Sequence, residues 1–390
     1  MLRRRWICSV LVVLLALVCV AMRAATAIGN GGWTLAQFPL PGDAAWPQAL
    51  AADGSGNLWF VEVGRDQVGR LIAAQATPGT TQGFSEFALT LGAWPQGIAA
   101  ASDGSVWFGE MLSDALAGVG PTGTVTEYQV LQAGAGPIDV ATSSDGAIWF
   151  VEGEGDTLGR FWPLTMTVEL YPLPLSDGYP VAVTIDDSGN VWFAAAAADQ
   201  IGVYHPREII MTMYAVPDGS FPTSLLVDAG LVWFTEGLGN ALGRLDPASG
   251  HVDEFALPTA DASPKGLALD GRGRLWLAEN MADKIAMFDP ATQTFTEYAL
   301  AAGAAPEDVV VLGGDAVWFT QGGGNSLGRL TLQAEPMSTP TQTRTATRTA
   351  TPPTHSNAQR DANCQRNPPP TATRTVSGVR RIFLPVIVGG

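Results

Sequence analysis

The sequence predicts an all-β protein: a seven-bladed β-propeller, closed by an N-terminal strand and followed by a disordered Thr/Pro-rich tail. Glycine accounts for 45 of the 390 residues and only 15% of residues are charged, which is typical of many short strands joined by tight turns. Tryptophan recurs at intervals of 41 to 48 residues, each time 11 or 12 residues after a proline. A repeat of this length is typical of one propeller blade. The recurring tryptophans are Trp59, Trp107, Trp149, Trp192, Trp233, Trp276 and Trp318.

Each repeat contains four short apolar segments separated by turn residues. In the first repeat, one segment follows Trp46-Pro47, the second contains Leu58-Trp59-Phe60 and the third is Val68-Gly69-Arg70-Leu71. The fourth is clearest in the sixth repeat, at residues 295–300. Four strands per repeat match one blade. Because side chains alternate along a strand, we expect Trp59 and Phe60 to point to opposite neighbouring blades.

The ends of the repeat array indicate a closed ring. The seventh repeat stops after Leu327-Gly328-Arg329-Leu330 and lacks a fourth strand, whereas residues 33–40 read as a fourth strand with no blade before it. We therefore predict that the N-terminal strand completes blade seven, which removes an open sheet edge.

Composition divides the chain into four parts. Residues 1–27 read as a signal peptide, with Arg3-Arg4-Arg5 before an apolar run and a small-x-small site at Ala25-Thr26-Ala27; an uncleaved anchor helix is the alternative. Residues 28–335 are the predicted propeller and residues 336–379 a Thr/Pro/Arg-rich disordered linker. Residues 380–390 form a short apolar motif, interpreted as a docking strand for a surface or secretion partner or as an apolar end without function. We expect a secreted or cell-surface protein without a transmembrane span after cleavage.

The charge of the predicted propeller limits its partners. Residues 28–334 contain 10 Lys and Arg against 35 Asp and Glu, a net charge of −25. Such a body repels phosphate backbones, which excludes nucleic acid as a partner. We expect a monomer that takes a small molecule or a surface partner at the rim of its central channel.

Two sets of residues should meet at one rim, because the first hairpin of each blade brings the start of its first strand beside the end of its second. The residues after the repeated prolines are Gln48, Gln96, Ile138, Val181, Thr223, Lys265 and Glu307. The third residues after the repeated tryptophans are Glu62, Glu110, Glu152, Ala195, Glu236, Glu279 and Gln321. The candidate ligand-binding residues of this rim are Gln48, Gln96, Thr223 and Gln321.

Five carboxylates at one level around an axis suit a hard cation such as Mg²⁺ or Ca²⁺. The candidate metal ligands are Glu110, Glu279 and Glu236. The alternative is structural pairing with the arginine eight residues further on, as for Glu62 with Arg70. Histidine gives no sign of ordinary catalysis, because the two in the predicted propeller, His205 and His251, stand beside turns toward its periphery.

The repeat resembles that of the virginiamycin B lyase (streptogramin B lyase) family over residues 33–332. The resemblance is clearest at Trp94-Pro95-Gln96-Gly97-Ile98 with Val106-Trp107-Phe108-Gly109-Glu110. It is equally clear at Val232-Trp233-Phe234-Thr235-Glu236 through Asn240-Ala241-Leu242-Gly243-Arg244-Leu245. The resemblance implies Mg²⁺-assisted elimination that opens a cyclic depsipeptide antibiotic without adding water.

The residues implied by the resemblance are absent at the matching positions. The family's base and its partner are histidines just after the prolines of the last two repeats, where this chain has Lys265 and Glu307. The family's metal-binding glutamate is Gln321 here, and the acid before the last proline is Ala305. We therefore expect a binding scaffold without lyase chemistry. The alternatives are a divergent Mg-dependent carbon-oxygen lyase, with Glu307 and Lys265 catalytic, and a lactonase-like metal hydrolase.

Overall fold

The computed structural model describes residues 32–129, 133–314, 316–332, 371–375 and 379–383, so the predicted signal peptide and most of the linker lie outside the described residues. Strand β1 (Trp33–Pro39) and the 27 strands that follow it up to residue 332 form seven antiparallel sheets. This confirms the predicted seven-bladed β-propeller. Among the described residues, no helix is long and apolar enough to cross a membrane.

Blades 1 to 4 each consist of four consecutive strands. Blade 1 comprises β2 (Pro47–Ala52), β3 (Asn57–Glu62), β4 (Gln67–Ile72) and β5 (Phe84–Ala88). Blade 2 comprises β6 (Pro95–Ala100), β7 (Val106–Glu110), β8 (Ala115–Val119) and β9 (Val125–Tyr128). Blade 3 comprises β10 (Pro137–Thr142), β11 (Ile148–Glu152), β12 (Thr157–Trp162) and β13 (Thr167–Pro172). Blade 4 comprises β14 (Pro180–Ile185), β15 (Val191–Ala195), β16 (Gln200–His205) and β17 (Ile210–Ala215).

Blades 5 and 6 repeat this plan, and blade 7 departs from it. Blade 5 comprises β18 (Pro222–Asp228), β19 (Leu231–Glu236), β20 (Ala241–Asp246) and β21 (His251–Ala256). Blade 6 comprises β22 (Pro264–Leu269), β23 (Leu275–Glu279), β24 (Lys284–Asp289) and β25 (Thr294–Ala299). Blade 7 comprises β26 (Pro306–Leu312), β27 (Ala316–Gln321) and β28 (Ser326–Leu332), with β1 as its fourth strand. Short 3-10 turns occupy Val63–Arg65, Ala73–Gln75, Ala196–Ala198 and Asn280–Ala282.

The N-terminal strand closes the ring as predicted. β1 pairs antiparallel with β28, from Trp33 opposite Leu332 to Pro39 opposite Ser326. The first strands of neighbouring blades contact one another all the way round, from β2 through β26 and back to β2. These seven first strands therefore surround the axis, and the fourth strand of each blade is outermost.

Within the described residues the core consists of seven clusters, each between two neighbouring blades. In each cluster the tryptophan of one blade packs with the aromatic or leucine side chain that follows the tryptophan of the next, as Trp59 does with Phe108. Phe60 packs on the other side of its strand, with Trp318 of blade 7. The alternating orientation predicted for Trp59 and Phe60 is confirmed.

The repeated Asp-Gly segments are hairpin turns. Asp53 accepts hydrogen bonds from the backbone N–H groups of Ser55 and Asn57, and its Oδ2 also accepts one from Trp59 Nε1 at 2.9 Å. The same contact recurs from Trp192 to Asp186 and from Trp276 to Asp270. Each such turn therefore anchors the tryptophan that fills the gap to the next blade.

Two short segments near the C-terminus extend two blades. β29 (Thr371–Thr375) pairs antiparallel with β17, and β30 (Arg380–Phe383) pairs antiparallel with β13. Residues 384–390, the remainder of the predicted docking motif, lie outside the described residues. Docking to a surface or secretion partner stays a prediction.

Candidate functional site

One end of the propeller carries the predicted rim. In every blade the proline that begins the first strand lies opposite the third residue after the tryptophan, as Pro47 does with Glu62 and Pro306 with Gln321. The same end carries the loops that join the second to the third strand and those that lead from each blade to the next. We call it the proline face.

Seven Asp or Asn residues hold the loops of the proline face together. Each ends the loop between second and third strands, has a left-handed backbone and binds the loop that leads into the next blade. Asp199, for example, accepts hydrogen bonds from the N–H groups of Gly219 and Phe221, both at 2.8 Å. In blade 5, Asn240 Oδ1 accepts from the N–H of Ala262 at 2.7 Å and its Nδ2 donates to the carbonyl of Thr259 at 2.9 Å. The seven residues are Asp66, Asp114, Asp156, Asp199, Asn240, Asp283 and Asn325.

The residue before each proline is also left-handed, with φ between 43° and 58°. Four of these residues are aromatic: Trp46, Trp94, Tyr179 and Phe221. A bulky side chain in this region is strained, and such strain persists only where the surroundings impose it. Here the Asp clamps impose it, since Trp94 N–H donates to Asp66 and Tyr179 N–H to Asp156. The proline face is therefore a rigid rim that carries aromatic side chains.

The structure brings Lys265 and Glu307 together, as the sequence predicts. Both are half-buried at the starts of the first strands of blades 6 and 7. Lys265 Nζ donates to Glu307 Oε2 at 2.5 Å, and Asn280 Nδ2 donates to Glu307 Oε1 at 3.0 Å. Both carboxylate oxygens of Glu307 thus accept hydrogen bonds from the protein.

The other predicted rim residues divide into two groups. Gln48, Gln96 and Thr223 are half-buried on first strands, at the level of the ion pair. The Thr223 hydroxyl donates to the carbonyl of Pro264 at 2.9 Å, and so links blades 5 and 6. Gln321 is 1% exposed and belongs to the interior.

The glutamates that follow the tryptophans are buried inside the blades and do not face the axis. Glu62, Glu110, Glu236 and Glu279 are 0% exposed. Glu62 extends over the third strand, since a Cβ on Gly69 would lie 2.9 Å from its Oε1. Oε1 of Glu62 and of Glu110 and both carboxyl oxygens of Glu236 and of Glu279 find no hydrogen-bond donor among the described residues. Burial raises the pKa of Glu62, Glu110 and Glu236 to about 7 and that of Glu279 to about 8, so the protonated and ionised forms of these side chains exchange near neutral pH.

The expected pairing of these glutamates with the arginine eight residues further on is wrong. Glu62 lies opposite Gln67, so Arg70 lies opposite Trp59 and on the other face of the sheet. The guanidinium carbon of Arg70 is 5.3 Å from the centroid of the Trp59 ring. Arg160, Arg244 and Arg329 likewise lie over Trp149, Trp233 and Trp318. These arginines stabilise the core by cation–π contact and do not neutralise the glutamates.

Sequence reasoning missed two carboxylates on first strands. Asp308 Oδ2 accepts from the N–H of Leu50 at 2.8 Å, and Asp139 Oδ2 from that of Val183 at 2.9 Å, so each joins its blade to the next. Burial raises the pKa of Asp139 to about 7 and of Asp308 to about 6, and the Asp308 charge adds to the shift of Asp139. A signal was present, because the second residue after the proline is Ala, Gly or Ser in the other five repeats.

The positions that match the family's metal site do not fit Mg²⁺. Mg²⁺ takes oxygen ligands, chiefly carboxylates and waters. Here the Lys265 ammonium already neutralises Glu307, Ala305 offers no ligand atom in its side chain, and Gln321 is buried. No group of three or more His, Cys, Asp or Glu in the described residues is placed to hold a metal. Glu110, Glu236 and Glu279 lie in three different blades, and their role as ligands stays a prediction.

The chain is thus a closed seven-bladed β-propeller protein whose proline face carries the Lys265–Glu307 ion pair. The chain belongs to the virginiamycin B lyase family, whose model matches residues 82–352. A comparison with curated proteins finds no match.

Solved structures of lyases are similar to this chain. Selenomethionine-substituted virginiamycin B lyase from Staphylococcus aureus has a TM-score of 0.70 and 24% identity, over 77% of this chain and 99% of that one. A catalytically inactive histidine-to-alanine variant of that enzyme with quinupristin has a TM-score of 0.71, with the same identity and coverage. A streptogramin B lyase structure has a TM-score of 0.70 and 25% identity, over 77% of this chain and 98% of that one. At 24% identity the first two likenesses show the fold alone.

Proposed function

We propose that this chain is a secreted or surface-held binding protein that takes its ligand on the proline face, over Lys265 and Glu307, without lyase chemistry. The observation that carries the proposal is the ion pair between these two residues, 2.5 Å long at the channel mouth. The ammonium and the carboxylate neutralise each other and still offer both donors and acceptors to a ligand. A polar ligand with amide or hydroxyl groups suits such a pair.

The residues around Glu307 argue against lyase chemistry. A carboxylate has about four acceptor positions, and Lys265 and Asn280 occupy one on each oxygen of Glu307, so Glu307 can still accept hydrogen bonds from a ligand. Elimination needs in addition groups that stabilise the charge developing on the substrate. The buried amide of Gln321 and the methyl group of Ala305 supply no charge to stabilise the negative charge that develops on a substrate during elimination.

The test is to incubate the full chain with a streptogramin B antibiotic and Mg²⁺, and to analyse the mixture by chromatography and mass spectrometry. We expect intact antibiotic. A product of unchanged mass but new retention would demonstrate elimination, the alternative favoured by the position of Glu307 beside Lys265. A product heavier by one water would demonstrate hydrolysis, as in a lactonase-like enzyme. Either product would overturn the proposal.

A further inference from the structure

Blade 7 has unusually small loops on the proline face. The loop between its second and third strands contains Gly322-Gly323-Gly324, and the loop that leads into it contains residues 301–305, all Ala or Gly. The two loops touch, since a Cβ on Gly323 would lie 2.2 Å from the carbonyl oxygen of Gly303. A Cβ on Gly322 would lie 3.3 Å from Glu307 Cγ. These loops therefore form a low strip, here called the saddle (residues 301–305 and 322–324), that leads inward to the ion pair.

Exposed apolar side chains stand on both sides of the saddle. Met281 of blade 6 is 65% exposed and Leu238 of blade 5 is 73% exposed. On the other side, Trp46 precedes blade 1 and is 39% exposed. These side chains offer apolar contact area on either side of a polar site.

An exposed acid lies on a backbone segment next to each of these apolar residues. Met281 N–H donates to the carbonyl of Ala262, the residue after Asp261. Leu238 N–H donates to the carbonyl of Ser220, two residues after Asp218, and Asp43 is three residues before Trp46. None of these three aspartates forms an ion pair with a residue in the described part of the chain.

This combination of groups fits basic side chains. Lysine and arginine place an apolar stem on an apolar surface while their charged heads reach a carboxylate. The face of Trp46 adds cation–π attraction, and the net charge of −25 over residues 28–334 adds long-range attraction for a basic partner.

We propose that the saddle binds a peptide segment in which Lys or Arg alternates with apolar residues, its basic side chains reaching Asp43, Asp218 and Asp261. The Gly and Ala loops give the peptide backbone room to lie flat. The proposal rests on the proposed function, because such a peptide extends to Lys265 and Glu307.

The probe is a fluorescein-labelled decapeptide of alternating Lys and Leu, titrated with the full chain and followed by fluorescence anisotropy. We expect binding that weakens about tenfold or more in Asp218→Asn/Asp261→Asn/Met281→Ser, because charge and apolar contact are both lost. The matched control is Leu164→Ser/Asp187→Asn on the opposite face, which should leave the affinity unchanged. A Glu-Leu peptide and a Lys-Ser peptide should bind more weakly than the probe.

Equal losses in the control variant, or equal binding of all three peptides, would overturn the saddle as the site. Ala302→Arg, which places a cation on the saddle itself, should also weaken binding, and unchanged affinity there would contradict the proposal. The proposed role of the ion pair is tested separately with Lys265→Met/Glu307→Gln. Unchanged affinity in that variant, together with weaker binding in Asp218→Asn/Asp261→Asn/Met281→Ser, would overturn the role of the ion pair and support the saddle.

Discussion

Glu62 and Glu86, on the second and fourth strands of blade 1, bring their carboxyl groups together beside Gly69, and Arg65 contacts both. Arg65 Nη1 lies 3.4 Å from Glu62 Oε2 and 2.8 Å from Glu86 Oε1. The inner and outer glutamates recur as Glu110 with Glu127, Glu236 with Glu254, and Glu279 with Glu297. In blade 7 the inner residue is Gln321, and Gln37 lies opposite Gly328 as Glu86 does opposite Gly69. An amide thus takes the place of each acid there, and an amide has the shape of a protonated carboxyl.

The first prediction concerns pH. Burial, followed by the charge of Glu86, raises the pKa of Glu62 from 4.5 to about 7, while Arg65 opposes the shift. The folded chain then holds a proton that the unfolded chain has lost, so stability falls as pH rises from 4.5 through about 7. The loss for this one group is on the order of 3 kcal/mol. Glu62→Gln cannot ionise, so we expect it to melt above the wild type at pH 9, with little difference at pH 5.

Thermal melts of both proteins from pH 5 to 9 test this prediction. Glu208→Gln, an exposed turn residue, is the control and should follow the wild-type profile at every pH. Parallel profiles for the wild type and Glu62→Gln would show that Glu62 is ionised in the folded chain at neutral pH.

The blade count and ring closure were predictable, because Pro and Trp mark every repeat and residues 33–40 match the strand that blade 7 lacks. The neighbours of each side chain depend on strand register, which residue spacing alone does not determine. Glu62 and Arg70 are close enough in sequence to pair across a hairpin. The hairpin sets Glu62 opposite Gln67, which places Arg70 on the tryptophan side of the sheet.

The ion pair was predictable because Lys265 and Glu307 occupy the same position in adjacent repeats. The clamps were harder to predict, since Asp199 and Asn240 read as ordinary turn residues until the loop from the next blade is seen against them. Asp139 and Asp308 were detectable by alignment of the repeats, because the second residue after the proline is small in the other five repeats.

The second prediction concerns the clamps. Asp199→Ala removes the acceptors of the Gly219 and Phe221 N–H groups and leaves alanine with a left-handed backbone, at a cost of roughly 2–4 kcal/mol. Asp199→Asn retains one carbonyl acceptor, as Asn240 does in blade 5, and should lose about half as much. Hydrogen exchange at the two amides measures the effect directly. Unchanged protection of both amides in Asp199→Ala would contradict the clamp.

The third prediction concerns two first-strand neighbours, Gly266 and Asp308. A Cβ on Gly266 would lie 2.1 Å from Asp308 Oδ1 and 2.6 Å from its Cα, so Gly266→Ala should destabilise the fold by roughly 1–3 kcal/mol. Asp308→Ala loses the hydrogen bonds from the N–H groups of Leu50 and Val309, at a similar cost of about 1–3 kcal/mol.

The double variant Gly266→Ala/Asp308→Ala should be more stable than the sum of the single effects by about 1 kcal/mol or more, because the contacts of the new methyl group with Asp308 Oδ1 and Cγ disappear and only that with its Cα remains. Both first-strand aspartates have a glycine against them in the preceding blade: Gly97 lies against Asp139, and Gly266 lies against Asp308. Denaturant unfolding of the four proteins completes the cycle, and additive effects would rule out the steric account.

The last prediction concerns ring closure. The guanidinium carbon of Arg329 lies 5.2 Å from the Phe38 ring on the closing strand and 5.1 Å from the Trp318 ring of blade 7, so one cation joins the two. Arg329→Ala should cost about 1–2 kcal/mol and speed hydrogen exchange in β1. Arg329→Met should cost less, because Met287 fills the same place opposite Trp276 in blade 6.

Arg70→Ala is the control for this prediction. Arg70 lies over Trp59 and Phe87, both within blade 1, so its loss should destabilise the fold without loosening β1 selectively. Exchange in β1 that is no faster for Arg329→Ala than for Arg70→Ala would show that the closing strand is held by its backbone pairing alone.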